Sequence, residues 1–300
     1  MKIIITGISG FVGQNLNAYL QQKGDEILPL SLRDPNWEEN FPTDAVALIH
    51  LAGKAHDTSN TSQPEDYFKI NRDLTITLFN KFLNSEIRDF FYFSSVKAVA
   101  DSLAGILEEN VIGNPLTAYG KSKLEAEQHL LRQKLPVGKR LFIIRPCMIH
   151  GPGNKGNLNL MYKIVKKSIP WPLAAFHNQR SFLSIDNLNF LTQEMIKKIE
   201  LPSGIYNFAD DKAFSINELV TLISETLGQK SKLWAIPPSI IKLIAKIGDY
   251  IPFPLNSERL KKLTESYLVS NVKIKKDLKI TNLPISSKEG LIKTFRSFSE

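Results

Sequence analysis

The feature that most constrains the fold is a glycine-rich segment directly after an apolar run at the start of the chain. Residues 3–5 are all isoleucine, which is typical of a buried parallel strand, and the sequence TGISGFVG follows at 6–13. From Phe11 the apolar residues recur at helical spacing until Gly24, which is predicted to end the helix. Strand, glycine-rich turn and helix together predict a dinucleotide-binding unit.

Each glycine of this turn has a predicted role. Gly7 allows the tight turn, Gly10 lets the backbone approach a pyrophosphate, and Gly13 lets the helix pack closely on the strand. The spacing is G-x-x-G-x-x-G rather than G-x-G-x-x-G, and glycine-rich strand–helix turns also exist without a ligand. We predict cofactor contacts across the turn, which adds Ser9, Phe11 and Val12 to the three glycines.

A tyrosine and a lysine four residues apart form the second informative pattern. Tyr119 and Lys123 stand at the start of a predicted helix, where this spacing places them on one face. An ammonium beside a phenol favours the phenolate and lowers its pKa, which makes a tyrosine usable as an acid or base near neutral pH. The alternative is an ordinary helix start with one aromatic and solvated lysines.

Two serines, Ser94 and Ser95, close the apolar run at 90–93. In an open α/β sheet, ligands bind outside the carboxyl ends of the strands. We therefore predict Ser95 as a catalytic and substrate-binding hydroxyl beside Tyr119, and Ser94 as a cofactor-facing or structural residue. A serine pair that simply ends a strand is the alternative.

Alternating apolar strands and amphipathic helices predict an α/β fold, a Rossmann-type doubly wound parallel sheet. Strands are expected at 2–6, 26–31, 46–52, 89–94, 140–145 and 205–208, and helices near 11–23, 66–84 and 118–133. Residues 1–150 are predicted to form the NAD(P)-binding domain. No Pro/Gly/Ser-rich linker separates residues 151–300 from it as an autonomous unit.

Composition narrows the class of protein. The chain has 300 residues, a net charge of +8 and one cysteine, Cys147, so no internal disulfide is possible and a reducing, cytoplasmic setting is expected. There is no signal-peptide pattern and no run of about 18 apolar residues that would span a membrane. No nucleic-acid-binding motif accompanies the basic clusters, and the histidines lack metal-ligand spacing, so neither nucleic acid nor metal is expected.

The end of the second strand bears on cofactor choice. An acidic residue there would bind the ribose hydroxyl of NAD, whereas an arginine accommodates the phosphate of NADP. The chain offers Ser31 and Arg33, which favours NADP(H) over NAD(H). Arg33 as a solvated loop residue is the alternative.

The chain resembles the extended short-chain dehydrogenase/reductases, in the NAD-dependent epimerase/dehydratase family. The resemblance rests on TGISGFVG (6–13), LIHLAG (48–53), FSSVKAV (93–99), YGKSK (119–123), IIRPCMIHGPG (143–153) and RSFLSIDNL (180–188). It is strongest to the bacterial branch that acts at C4 of nucleotide sugars for surface polysaccharides. The resemblance implies an NAD(P)-dependent enzyme with a UDP-sugar substrate, in which residues 151–300 form mainly a smaller substrate lobe, interleaved with the NAD(P)-binding domain.

The resemblance also assigns roles to individual residues. Cofactor contacts are implied for Leu51, Ala52, Gly53, Asn71 and Pro146, while sugar-nucleotide contacts are implied for Asn157, Arg180 and Arg259, the last with less support. His50 and His150 are expected to be packed rather than catalytic. Val96 and Lys97 occupy the places of the acidic pair that dehydratases of the family carry, so elimination is not expected.

Three functional hypotheses stay open from sequence. The first is an NAD(P)-dependent enzyme acting at C4 of a UDP-sugar, either as reductase of a 4-keto sugar, which is slightly favoured, or as 4-epimerase. The second is a non-catalytic NAD(P)-sensing regulator, and the third is a reductase of a non-sugar carbonyl, which Arg180 and the GPGNKGN loop disfavour.

The family normally has a helix, a strand and another helix in this region, with a carboxylate that contacts adenine, and residues 33–44 are too few to form them. The resemblance therefore gives no adenine contact for this segment. The missing strand would lie at an edge of the sheet, where its loss disrupts the hydrogen-bonded ladder least.

The resemblance implies a homodimer through the helices at 66–84 and 118–133. The first of them carries Leu74, Leu78, Phe79 and Phe82, more apolar surface than one sheet face needs, which favours this expectation.

Overall fold

The computed structural model describes residues 1–54, 63–154, 156–251 and 255–299. Its strands, in chain order, are β1 (Lys2–Thr6), β2 (Glu26–Leu30), β3 (Ala47–His50), β4 (Asp89–Phe93), β5 (Ile106–Leu107), β6 (Arg140–Pro146), β7 (Met148–His150), β8 (Phe182–Ser184), β9 (Gly204–Phe208) and β10 (Leu268–Val269). The helices are α1 (Phe11–Gln22), α2 (Pro64–Phe68), α3 (Leu74–Leu83), α4 (Ala118–Arg132), α5 (Asn157–Lys166), α6 (Ile185–Lys197), α7 (Ile216–Thr226), α8 (Pro238–Ile247), α9 (Ser257–Thr264), α10 (Val272–Leu278) and α11 (Ser287–Ser297).

Six strands form one parallel sheet in the order β2-β1-β3-β4-β6-β9. Each of the six predicted strands is found within a few residues of its expected bounds, so the α/β doubly wound fold is confirmed. β2 is an edge strand of this sheet, and residues 33–44 form turns with Trp37 buried. Pro29 lies in that edge strand, where a missing N–H disrupts the ladder least.

The sheet is covered on both faces. One apolar core joins it to α1 and α6, through residues such as Leu16, Leu20 and Leu188. The other joins it to α3 and α4, through residues such as Phe79 and Leu130. Strand β4 is buried along its whole length, as expected for a central strand covered by helices.

A separate core lies in the second half of the chain, among α5, α7, α8, α9 and α11. Ser215 and Ser286 form complete capping boxes with Glu218 and Glu289 before α7 and α11, as the S-x-x-E spacing in the sequence predicts. β9 belongs to this half of the chain yet pairs with β6 in the main sheet. The domain boundary at residue 150 stays a prediction.

The predicted long helix at 66–84 is built from three parts. α2 is followed by a π-helical turn, Lys69–Asp73, and then by α3. The proposed excess of apolar surface is wrong for most of this helix, since Leu78, Phe79 and Phe82 are fully buried within one chain. Leu74 is half-buried. Packing on the sheet therefore already uses this face.

Candidate active site

The glycine-rich turn has the geometry that its sequence predicts. Gly7 has φ +70°, and a Cβ there would stand 2.6 Å from the Ala52 nitrogen. A Cβ on Gly13 would stand 2.3 Å from the Gly7 carbonyl oxygen. Both distances are too short for any side chain, so the two glycines permit the tight turn and the close helix–strand packing.

The N-terminus of α1 is open to an anion. Gly10 caps the helix and is exposed, no side chain in the described residues caps it, and the first turn holds no acidic residue. The unpaired N–H groups at a helix start and the helix dipole favour a negatively charged ligand. Ser9 is exposed beside this end, and Phe11 and Val12 are half-buried in its first turn.

The segment after β3 runs alongside the turn. Leu51 and Ala52 donate main-chain hydrogen bonds to the Thr6 carbonyl, at 3.3 Å, and to the Thr6 hydroxyl, at 3.2 Å. Gly53 is exposed, and a Cβ there would lie 2.9 Å from Asn71 Oδ1 and 3.3 Å from Lys123 Nζ. A larger residue at Gly53 would therefore press on two of the predicted site residues.

Asn71 is fully buried and joins this segment to α4. Its Oδ1 accepts from the Lys54 N–H at 2.8 Å, and its Nδ2 donates to the Lys54 carbonyl and to Ser122 Oγ, both at 3.1 Å. The side chain thus holds the loop after β3 against the helix that carries the tyrosine and lysine.

Ser95 and Tyr119 are brought together, although 24 positions separate them in sequence. Ser95 caps a 3₁₀ turn, Val96–Ala98, and Tyr119 lies in the first turn of α4. Burial raises the pKa of the Tyr119 phenol, while a side-chain hydrogen bond with Ser95 acts to lower it. The phenol is therefore neutral near pH 7, with a serine hydroxyl at its oxygen.

Lys123 does not act on Tyr119 as the spacing suggests. Its Nζ donates to the Phe93 carbonyl at 2.9 Å and lies 4.8 Å from the Tyr92 ring centroid. Burial lowers the pKa of Lys123 to about 8, partly offset by Glu127. The predicted lowering of the Tyr119 pKa by Lys123 is wrong for this structure, because desolvation of the phenol dominates.

Ser94 and Pro146 lie at the carboxyl ends of neighbouring strands, β4 and β6. Ser94 is buried, and its Oγ is without a hydrogen-bond partner among the described residues. A buried hydroxyl without a partner is costly, so this atom is suited to a polar ligand group. Together with the glycine turn and the open end of α1, it fits a dinucleotide cofactor.

The two residues predicted to determine the preference for NADP(H) over NAD(H) follow the end of β2. Ser31 and Arg33 are both exposed there, and the Arg33 guanidinium makes no ion pair within the described residues. The cation is thus available to a ligand phosphate.

The three predicted substrate residues differ in setting. Arg180 is half-buried and donates from Nε to the Glu265 carbonyl at 3.1 Å, and burial lowers its pKa. Asn157 is exposed at the start of α5, and Arg259 is exposed on α9. Arg180 lies close to the Ser95 segment, since its charge lowers the pKa of Lys97.

From sequence, Lys97 is considered only as a replacement for the acidic pair of the dehydratases, and the structure places it in the turn that Ser95 caps. Its Nζ donates to the Asp101 carbonyl at 2.7 Å and lies 4.7 Å from the Tyr267 ring centroid. Burial lowers the pKa of Lys97, and Arg180 adds to that effect. The sequence signal that could have identified Lys97 is a lysine two positions after Ser95, in an otherwise apolar turn.

His50 and His150 are packed in the interior, as expected. His50 is buried between the hydroxyls of Thr6, at 2.7 Å, and Thr75, at 2.9 Å. Burial lowers the pKa of His50 to about 3, and Lys123 adds to the effect. His150 is also buried, with Nδ1 2.8 Å from the Thr294 hydroxyl.

Comparison with known families agrees with this geometry. The model of the NAD-dependent epimerase/dehydratase family matches residues 3–198. The chain belongs to this family. Members are NAD(P)-dependent epimerases and reductases of the extended short-chain dehydrogenase/reductase class, so the protein is an enzyme of that class.

Curated relatives include both kinds of activity. A UDP-glucose 4-epimerase of Vibrio cholerae is 28% identical over 270 residues, which cover 82% of each chain. The N-acetyl-alpha-D-glucosaminyl-diphospho-ditrans,octacis-undecaprenol 4-epimerase of Escherichia coli O157:H7 is 26% identical over 92% of this chain and 85% of its own. A GDP-6-deoxy-D-mannose reductase of Pseudomonas aeruginosa is 30% identical over 75% and 79%. The family is thus one of nucleotide-sugar epimerases and reductases.

Solved structures share the fold. RMD from Pseudomonas aeruginosa, complexed with NADPH, matches with a TM-score of 0.76 at 20% identity, over 99% of this chain and 98% of its own. A UDP-N-acetylglucosamine 4-epimerase from Bacillus cereus matches with a TM-score of 0.79 at 19% identity, over the full length of both. At these identities the likeness establishes the fold alone.

Proposed function

We propose that this enzyme acts at C4 of a UDP-hexose or UDP-N-acetylhexosamine in the synthesis of surface polysaccharide precursors. Reduction of a 4-keto sugar is the first candidate. The observation that carries the proposal is the hydrogen bond between Ser95 and the Tyr119 phenol, at the sheet edge that holds the glycine-rich turn. A cytoplasmic site of action is part of the proposal.

Proton transfer is assigned to Tyr119. A bound nicotinamide cofactor supplies or accepts the hydride at C4. The Tyr119 hydroxyl gives its proton to the sugar O4 in reduction and becomes a phenolate, and in the reverse direction the phenolate takes the proton from the O4 hydroxyl. The Ser95 hydroxyl holds O4 by a hydrogen bond. Lys123 fixes the start of α4 on the end of β4 through the Phe93 carbonyl, which positions the helix that carries Tyr119.

Cofactor binding is assigned to the turn and the strand ends. The pyrophosphate would be held by Gly7, Gly10, Gly13 and the first turn of α1, with Ser9, Phe11 and Val12 around it. The residues that would hold the nicotinamide end are Ser94, Asn71, Tyr119, Lys123 and Pro146. Leu51, Ala52 and Gly53 would contact the cofactor between its pyrophosphate and its nicotinamide end. Ser31 and Arg33 favour NADP(H) over NAD(H), because Arg33 can pair with the ribose phosphate.

Substrate binding is assigned to the second half of the chain. Arg180 suits a diphosphate, since its guanidinium presents a planar fork of donors, and Asn157 and Arg259 are further candidates. Lys97 adds a second cation near Arg180. Dehydration is not supported, because Val96 and Lys97 stand directly after Ser95 in place of the carboxylate pair that the dehydratases of the family carry there.

A 4-epimerase is the second candidate. The V. cholerae and E. coli relatives are named as 4-epimerases, and the same Ser95, Tyr119 and Lys123 would serve that reaction. The E. coli name includes a diphospho-undecaprenol carrier, so carrier-linked sugars belong in the substrate panel. A non-catalytic NAD(P) sensor is the minor alternative, disfavoured because Tyr119 and Lys123 are both present.

Cofactor identification and a substrate panel test these assignments. Mass spectrometry of the small molecules released from purified protein identifies the cofactor, and a panel of UDP-sugars, their 4-keto derivatives and carrier-linked sugars follows. A reductase consumes NADPH in proportion to product, whereas an epimerase interconverts two sugars without net consumption. Cofactor binding with no turnover of any sugar would overturn the enzymatic proposal.

A further inference from the structure

The exposed apolar side chains are concentrated in one stretch of the chain. Of the seventeen large exposed hydrophobic residues in the described part of the chain, seven fall within 233–251: Leu233, Trp234, Ile240, Leu243, Ile247, Tyr250 and Ile251. Scattered exposed hydrophobics are ordinary on a folded protein, but a concentration of this kind marks an interaction surface.

Helix α8 carries the centre of this stretch. Ile240, Leu243 and Ile247 are 49%, 61% and 51% exposed and follow one another at i, i+3 and i+7, so they form one apolar strip on the helix surface. The opposite side packs inward through Ile241 and Ala245, which are buried in the core of the second half. The helix therefore presents apolar residues to the protein and to its surroundings.

Two lysines border the exposed strip. Lys242 and Lys246 are exposed, stand one turn apart, and form no ion pair within the described residues. Lys230 and Lys232 precede the helix, and the one carboxylate in 230–251 is Asp249, which accepts hydrogen bonds from Ser257. The segment is thus basic as well as apolar.

Trp234 and Tyr250 flank the helix on either side in sequence. They are 57% and 90% exposed. Tryptophan and tyrosine are enriched at membrane–water interfaces, because one end of each side chain is apolar and the other polar. An amphipathic helix with lysines beside its apolar strip has the composition of helices that lie in the plane of a membrane surface.

We propose that the face formed by Ile240, Leu243 and Ile247, with Lys242 and Lys246 at its border, docks on an anionic lipid bilayer. No helix in the described residues is long and apolar enough to cross a membrane, so the contact is peripheral. A second copy of the chain fits less well, because pairing this face with itself would bring unpaired lysines together.

Docking through α8 would place the site near the lipid surface. α8 packs against α9, and the residue after α9, Glu265, accepts the hydrogen bond from Arg180. The lipid proposal does not depend on the catalytic proposal, since it rests on exposure and charge alone.

Vesicle co-sedimentation of the full chain tests this proposal. The probes are vesicles of phosphatidylcholine alone and of phosphatidylcholine with an equal part of phosphatidylglycerol. We expect the protein to sediment with the anionic vesicles, to bind the neutral ones less, and to be released as salt rises. Failure of the protein to sediment with the anionic vesicles would overturn the proposal.

Matched variants distinguish binding through the α8 face from nonspecific attraction of a basic protein to anionic vesicles. Ile240→Ser with Leu243→Ser and Ile247→Ser should lower partitioning on anionic vesicles by at least about tenfold, and Lys242→Ser with Lys246→Ser by about tenfold. The control is Val272→Ser with Lys276→Ser, which removes an exposed apolar residue and an exposed lysine from α10, and it should bind like the original chain. Equal losses in control and test variants would contradict the proposal.

Folding and self-association are checked in parallel. Circular dichroism melting should show all variants folded, because the substituted side chains are exposed; if the triple variant is unfolded, Leu243→Ser alone replaces it, with an expected severalfold loss. Light scattering distinguishes a subunit interface. A dimer that the Leu243 variant converts to monomer, without vesicle binding by the original chain, would assign the face to self-association and overturn the lipid proposal.

Discussion

Lys123 Nζ donates a hydrogen bond to the main-chain carbonyl of Phe93, at 2.9 Å. Phe93 is the last residue of β4, and Ser94 and Ser95 follow it directly. The ammonium therefore fastens the first turns of α4 to the strand end that carries the serines. This contact holds the helix that carries Tyr119 beside the strand end that carries Ser95. The pKa of Lys123 is therefore determined by its burial against the main chain rather than by contact with the phenol.

Removal of the Tyr119 hydroxyl should abolish most turnover. Tyr119→Phe keeps the ring and its packing but removes the proton donor, and a positioned acid or base contributes about 100-fold or more. We expect kcat on the true substrate to fall by at least that factor, with Tm little changed. Tyr162→Phe, a buried tyrosine in the core of the second half, is the control, and near-normal turnover of Tyr119→Phe would remove it from the mechanism.

The cofactor preference should depend on Arg33. NADPH should bind more tightly than NADH, because the exposed guanidinium can pair with the ribose phosphate. Arg33→Ala should narrow this difference in a calorimetric titration, whereas Arg296→Ala, an exposed arginine of the last helix, should not. Equal affinity of the original chain for both cofactors would contradict the assignment and favour the epimerase.

Acid should destabilise the fold through His50. Its pKa in the folded protein is about 3, against an ordinary value of 6.5, chiefly because of burial. As pH falls below 6.5 the unfolded chain takes up the proton first, so stability falls by at most about 1.4 kcal/mol per pH unit and levels off near pH 3.

Urea unfolding across this pH range measures the effect of His50. The difference in stability between the original chain and His50→Gln should shrink as pH falls from 7 towards 4. His177→Gln, at an exposed position, serves as the control for general acid effects. A difference between the original chain and His50→Gln that does not change with pH would refute the assignment.

The buried pair of Glu127 and Arg145 should matter for stability. Arg145 Nε lies 3.1 Å from both Glu127 carboxylate oxygens, and the two side chains are 1% and 4% exposed. Glu127→Gln leaves a buried charge without its partner, so we expect a loss of about 3–5 kcal/mol in the free energy of unfolding. Glu125 lies on the same helix as Glu127 and pairs with Arg72 at a more exposed position. Glu125→Gln breaks that pair and should lower the free energy of unfolding by about 1 kcal/mol or less.

Homodimer formation stays a prediction. The apolar residues of α3 that suggested it are mostly buried within one chain, so its support is now the family resemblance. A dimer through α3 and α4 would give a mass near twice 33.9 kDa by light scattering at micromolar concentration. A mass near the single-chain value would exclude it.

Much of the site was predictable because its parts are local. Gly7 and Gly13 stand where a strand turns sharply into a helix, and steric limits on φ and on Cβ contacts act over a few residues. Tyr119 and Lys123 share a helix, and Ser95 ends a strand. By contrast, no short pattern indicated that Asn71 bonds to both the Lys54 main chain and Ser122, since that contact joins three separate segments.

The sequence by itself indicated the six strands of the main sheet, three of the helices, the dinucleotide-type turn and the candidate catalytic trio, because apolar periodicity and turn-forming residues are properties of short segments. Only the tertiary structure decided the raised pKa of Tyr119, the position of Lys97 beside Tyr267, and the exposure of one strip of α8. Desolvation and exposure sum contributions from atoms that are close in space and distant in sequence. They are therefore defined only once the chain has folded.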